Sequence, residues 1–154
     1  MSYIDTNLMT NEVVAYRVRL HWAIFMPAIF SFIFAIVATF NNMRHFDWIL
    51  YLITVALMAT SLVSYLSSEF AVTNRRVIIK IGLISRNSYE MLLNRVEGIE
   101  VDQSIIARLL GYGNITVRGM GGSKEVFYKI ENPLEFRKKV QEQIADLQAV
   151  QPQQ

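Results

Sequence analysis

Two runs of nineteen residues, 22–40 and 48–66, contain no Asp, Glu, Lys, Arg or His. Only the short polar stretch 41–47 separates them. A helix of that length spans about 28 Å at ~1.5 Å per residue, close to the ~30 Å hydrocarbon core of a bilayer. Inside lipid the backbone has no water to bond, so such a run must be helical. The pair therefore predicts a transmembrane hairpin of two antiparallel helices. A cleaved leader is the rival reading for the first run, but the run is too long for one and a second span follows at once. Pro27 falls in the second turn of the first helix, where a mild kink accommodates it. Small residues recur at every fourth position: Ser31, Ala35 and Thr39 on the first helix, Ala56, Thr60 and Ser64 on the second. Small side chains let two membrane helices approach closely, so these are the candidate packing residues. His21, Trp22, Trp48, Tyr51 and Tyr65 suit the membrane–water boundaries.

Charge around the hairpin sets its orientation. Arg17 and Arg19 precede it, and Arg75, Arg76 and Lys80 follow it, whereas the connecting stretch holds only Arg44, offset by Asp47. Basic flanks remain in the cytoplasm, so both termini are expected there, with the loop outside. Arg17, Arg19, Arg75 and Arg76 are then candidate contacts for lipid headgroups, where anionic lipid attracts each by roughly 1 kcal/mol. The net charge of +2 over 154 residues is too small to argue for a nucleic-acid partner. Cysteine is absent, which excludes disulfides, thiolate chemistry and cysteine metal sites.

Residues 67–154 suffice for one small domain with its own core. Residues 1–12 read as a polar, loosely held lead-in. Over 14–20, Val14, Tyr16, Val18 and Leu20 alternate with Ala15, Arg17 and Arg19, which fits either a half-buried strand or an irregular approach to the membrane. After the hairpin, period-two patterns predict strands over Glu69–Thr73 and Arg76–Ile81, then over 85–92 and Val96–Asp102, with a bulge at Gly98. Ser104 caps a short helix that Gly111 ends, and Ile105, Ile106, Leu109 and Leu110 are spaced to bury one side of it. Residues 114–119 and 124–130 make a hairpin across Met120-Gly121-Gly122-Ser123. Asn132, Pro133 and Glu135 open a final helix with Phe136, Val140, Ile144 and Leu147 on one stripe. The expected architecture is α+β. A lead-in (1–21) and a membrane hairpin (22–66) precede a domain (67–149) of about six antiparallel strands. These form a small, partly open, barrel-like sheet capped by the C-terminal helix, and a fraying tail (150–154) follows.

The chemistry-bearing residues do not converge in the sequence. His21 and His45 fall at opposite membrane faces, so they form no shared metal or catalytic site. Gly111-Tyr112-Gly113 precedes a strand, and position 116 is Thr116, not the glycine that a dinucleotide fingerprint requires. Gly121-Gly122-Ser123-Lys124 lacks the order and setting of a phosphate loop and reads as a hairpin tip. Glu97, Glu100 and Asp102 read as a solvated strand face. Lys80, Arg118 and Lys129 are further cations for an outer sheet face. No catalytic, cofactor or metal residue is assigned, and a small-molecule substrate is disfavoured.

Several stretches together carry a family resemblance. They are Thr73-Asn74-Arg75-Arg76-Val77-Ile78 with Gly82, Arg95-Val96-Glu97-Gly98-Ile99, Gln103-Ser104-Ile105, Arg108-Leu109-Leu110-Gly111-Tyr112-Gly113, Gly121-Gly122, and Asn132-Pro133 leading into Glu135-Phe136. Ahead of the hairpin, Glu12-Val13-Val14 and His21-Trp22 fit the same pattern. The chain resembles the bacterial pleckstrin-homology-like (PH-like) family in its membrane-attached form, and Leu-Leu-Gly-Tyr-Gly is the most specific part of the match. The resemblance implies two transmembrane helices and a cytoplasmic PH-like sheet capped by a helix, in the bacterial inner membrane. It brings no reaction with it. The expected role is a non-enzymatic, self-associating interaction or scaffold protein whose partners are membrane lipid and further copies or other membrane subunits. The alternative is a subunit of an oligomeric transport or pore assembly, against which the uncharged spans count.

Overall fold

The alternation at residues 14–20 resolves as a strand, and its partner lies on the other side of the hairpin. The computed structural model describes residues 3–41, 47–82 and 87–150. In it β1 (Val14–Val18) pairs antiparallel with β2 (Glu69–Thr73), with Val14 opposite Thr73 and Val18 opposite Phe70. β3 (Arg76–Ile81) and β4 (Asn87–Leu92) extend this sheet in the order β1-β2-β3-β4. A 3-10 turn at Leu93–Arg95 takes the chain out of it. β5 (Val96–Asp102), β6 (Tyr112–Gly119) and β7 (Lys124–Glu131) then form a second, three-stranded antiparallel sheet.

The sequence predicts one barrel-like sheet of about six strands; the chain forms two sheets. The turn at 93–95 separates β4 from β5, and β1 supplies an extra strand to the first sheet. Beyond β1, Leu20 bridges to Ile130 of β7, so the chain entering the hairpin ties the two sheets together at one corner.

Both sheets share one core. Phe70, Val72, Val77 and Ile79 meet Ile115, Val117, Phe127 and Ile130, and α5 (Pro133–Val150) covers them with Phe136 and Val140. Each of these side chains loses nearly all contact with water, worth roughly 1.5–3 kcal/mol per large apolar side chain. A smaller cluster occupies the opposite face of the first sheet. There Ile4, from the one-turn helix α1 (Tyr3–Thr6), packs on Ala71 and Ile78. The lead-in is therefore held down by an apolar side chain, contrary to the loose segment expected from its polarity.

α2 (Met26–Phe40) and α3 (Asp47–Ser67) lie between β1 and β2 in the chain. The first apolar run does not begin as an α-helix: Trp22–Phe25 is a 3-10 turn. Pro27 accordingly sits in the first turn of α2, where its missing N–H has no carbonyl to satisfy and no kink is needed. Ala28, Ala35 and Ala38 are buried, whereas Phe30, Phe34, Val37, Leu52, Val55 and Leu62 point outward. Both runs are long and apolar enough to cross a membrane.

α4 (Ile105–Leu110) departs furthest from its sequence pattern. Ser104 caps it by accepting the Ala107 N–H, and Gly111 ends it with φ of 79°, as read from sequence. The expected burial of its apolar side fails. Ala107 is buried, but Ile105, Ile106 and Leu109 are 84%, 62% and 86% exposed. Ala107 packs inward and Leu110 is half-buried, whereas the other three large side chains face away from the core.

Candidate functional site

The sandwich has two unlike ends. At the hairpin end, the His21 N–H donates to the Lys129 carbonyl at 2.8 Å and the Glu131 N–H to the Arg19 carbonyl at 3.1 Å. At the far end, the Leu93 N–H donates to the Arg75 carbonyl and the Met120 N–H to the Arg95 carbonyl, each at 2.9 Å. The four arginines singled out in the sequence divide between these ends. β2 runs away from α3, and five extended residues cover roughly 17 Å. Arg75 and Arg76 are thus carried to the far end, while Arg17 and Arg19 stay beside the start of the hairpin.

Arg76, a headgroup candidate in the sequence, has its guanidinium held within the domain. Its guanidinium grips Glu12 through Nε and Nη2, both at 2.9 Å, and reaches Glu90 through Nη1 at 2.5 Å. Nη2 also donates to the Asn7 carbonyl at 2.8 Å. The Arg76 side chain is only 7% exposed and that of Glu12 is fully buried. Thr73 completes the cluster: its hydroxyl lies 2.8 Å from Glu12 Oε1 and accepts the Arg76 N–H at 3.0 Å. Burial alone would raise the Glu12 carboxyl, but hydrogen bonds from Arg76, the Met9 N–H and Thr73 hold it below its ordinary range. The Glu12 hydrogen bond in turn raises Arg76 against the cost of burial. This network pins the N-terminal segment to the first sheet. Glu12 and Arg76 both fall within the stretches that carried the resemblance, yet no local pattern joins residues 64 positions apart.

Arg17 pairs with Asp5 on the outer surface, and the bond holds the Asp5 carboxyl low. Arg17 and Arg19 line a recess of about 190 Å³ at the foot of α3, together with Tyr65, Leu66, Ser68 and Glu69. Among the described residues, the Ser68 hydroxyl is the buried side-chain polar group without a protein partner, and it belongs to this recess. Lys80, Arg118 and Lys129 do not converge. Lys80 stands opposite Glu69 in the β2–β3 register, Arg118 pairs with Glu100 at 2.7 Å near the far end, and Lys129 is beside His21.

His21 organises the hairpin end. Its Nδ1 accepts the Ala23 N–H at 3.2 Å, capping the 3-10 turn into the first apolar run. Its ring stacks on Tyr112 at 5.1 Å. Burial lowers its pKa below the ordinary 6.5, opposed by the Glu131 charge and the nearby Leu110 backbone. The Leu-Leu-Gly-Tyr-Gly stretch forms the elbow under this ring. A Cβ on Gly113 would come within 2.6 Å of Gln103 and 2.9 Å of Pro133, so only glycine fits there. The Gln103 amide donates to the Tyr112 carbonyl at 2.6 Å, and the Asn132 N–H donates to the Gly111 carbonyl at 3.0 Å. His45 and Arg44 lie outside the described residues.

Between the helices, the Ser31 and Thr54 hydroxyls meet at 2.8 Å, and Ser61 Oγ donates to the Ile24 carbonyl at 3.2 Å. Ala35 is buried in this seam, Thr39 sits at its edge 3.2 Å from the Tyr51 hydroxyl, and Ser64 is half-buried. Ala56 and Thr60 face away from α2. Thr54 and Ser61 are seven residues apart, two helical turns, and so share the contact face; a spacing of four drifts off it.

At the far end, a cleft of about 500 Å³ opens between α5 and the inter-sheet turns, lined by Arg75, Leu92, Leu93, Met120, Ile144 and Leu147. Among the described residues no cluster of His, Asp and Glu could hold a metal ion. Residues 22–146, most of the chain, match the family model described as the bacterial PH domain. The match takes in the hairpin and both sheets apart from β1. No curated protein and no solved structure matches the chain.

Proposed function

Because the chain belongs to the bacterial PH domain family, we propose that it is a non-enzymatic interaction module clamped to the cytoplasmic face of a bacterial inner membrane. The observation that carries this is the insertion of α2 and α3 between two hydrogen-bonded neighbours, β1 and β2. Both ends of the hairpin are built into one sandwich, so the domain is fixed to its anchor at two points and cannot swing on a single linker. The outward apolar side chains of both helices suit lipid; a core helix would bury them. A leader peptide would not be enclosed by strands of the sheet that follows it. The basic flanks at Arg17 and Arg19 orient the sandwich to the cytoplasm, where both arginines reach anionic headgroups.

The far-end cleft then faces away from the bilayer and is the surface offered to partners, including further copies of this chain. Native mass spectrometry of the full chain in mild detergent tests the interaction role, and assemblies or a co-purifying membrane subunit are expected. A strictly monomeric species without a partner contradicts it. An impermeant maleimide applied to Met120→Cys in inverted and right-side-out vesicles tests the topology. Labelling in inverted vesicles alone is expected, and labelling from the outside overturns it.

A further inference from the structure

We infer that α4 is an interfacial foot, a short helix whose apolar face enters the lipid boundary beside the first transmembrane segment. The inference rests on the membrane-anchored reading and adds a third point of contact to the two hairpin junctions. Ile105, Ile106 and Leu109 are large, adjacent on one and a half turns, and mostly exposed. A soluble surface seldom gathers such residues without a purpose.

Their position identifies what covers them. α4 ends at Gly111, and the next residue, Tyr112, stacks on His21. His21 caps the turn that begins the first apolar run, and Trp22, 47% exposed, follows it. The apolar face of α4 is therefore held by a rigid elbow next to the point where the chain enters lipid. Trp22 marks the headgroup level, the depth at which amphipathic helices bury their apolar faces. Arg108 lies among the apolar residues of α4, and its long stem lets the charge reach the headgroups. A second copy of the chain is a poorer occupant: three side chains offer far less than the ~800 Å² per partner of a stable interface.

The chain has no cysteine, so single spin labels report one position each. The test uses the full chain in vesicles of phosphatidylethanolamine and phosphatidylglycerol, with labels at Leu109→Cys, Val55→Cys and Met120→Cys. Collisions with oxygen, which partitions into lipid, are compared with collisions with a water-soluble nickel chelate. Val55 faces outward from the middle of α3, and Met120 is exposed at the far end. The expected result is a shift towards oxygen at 55 and 109 and towards nickel at 120. Nickel access at 109 with oxygen access at 55 overturns the foot while sparing the anchor; nickel access at 55 overturns the anchor itself. Shielding of 109 from both reagents, or spin–spin broadening that grows with protein density, assigns the face to a second copy and also overturns the foot. Ile106→Cys, on the same face, gives an independent reading should the label at 109 disturb the elbow.

Discussion

Arg17-Val18-Arg19 and Arg75-Arg76 look alike in the sequence: two arginines on either side of an uncharged hairpin, each pair apt for headgroups. The fold separates them. The first pair stays at the foot of the helices, and the second is carried to the opposite end of the sandwich by the rise of β2. One member of the second pair is then buried against two carboxylates. Distance along a chain from the hairpin is therefore a poor measure of distance from it in space. Nine residues of coil stay close, but nine residues that include a strand do not.

The contrast can be broken most forcefully at Arg76. Arg76→Ala leaves the buried Glu12 carboxylate without its partner, which costs about 3–5 kcal/mol, whereas Arg75→Ala on the exposed neighbour stays within about 0.5 kcal/mol. Chemical unfolding of the two variants in detergent separates them, and a similar loss for both contradicts the buried network.

Acid is the next lever. Glu12 is held below its ordinary value of 4.5 in the folded chain, so the unfolded chain takes the proton first. The stabilisation is complete above 4.5 and falls as pH drops through the lower, folded value. His21, lowered from 6.5 by burial, acts in the same direction at higher pH: folding is favoured above 6.5, and stability declines below it. Unfolding midpoints measured against pH are expected to show both slopes. Glu12→Gln should flatten the acidic one and His21→Phe the milder one.

Lipid retention sharpens the first pair. Arg19→Gln is expected to weaken anionic-lipid binding by roughly 1 kcal/mol, and Arg17→Gln by less because Asp5 already offsets the Arg17 charge, seen as fewer phosphatidylglycerol adducts in native mass spectra; Arg75→Gln should leave the adducts unchanged. The smallest effect belongs to the helix seam. Ser31→Ala removes the hydroxyl contact with Thr54, and membrane hydrogen bonds of this kind average ≈ 0.6 kcal/mol. Thr60→Ala, on the outward face, should change unfolding less.

Much of the architecture is visible in the residues because short-range rules govern it. Strand periodicity fixes β2, β3 and β5, Ser104 and Gly111 bracket α4, and the stripe of α5 finds the core. Three features escape because they depend on tertiary placement. The pattern of 14–20 fits a strand or a lead-in equally, and only the β1–β2 ladder across an insertion of some fifty residues decides it. Glu12 and Arg76 lie in separate stretches of the sequence, and only the sheet brings them together. The periodicity of α4 matches that of α5, yet one apolar face is buried and the other exposed, since amphipathicity shows that a face needs covering without saying by what. The same ambiguity misplaces Ala56 and Thr60, whose spacing suits close packing but whose phase on α3 points them outward.

Energy transfer to acceptor-labelled headgroups in the cytoplasmic leaflet tests most directly whether the sandwich stands on its hairpin end. Donors are attached singly through Arg19→Cys or Arg75→Cys in the otherwise cysteine-free chain. Position 75 lies beyond the roughly 17 Å of β2, so transfer from 19 is expected to be clearly stronger than transfer from 75. Equal transfer from the two positions would contradict the separation of the two arginine pairs and the orientation built on it.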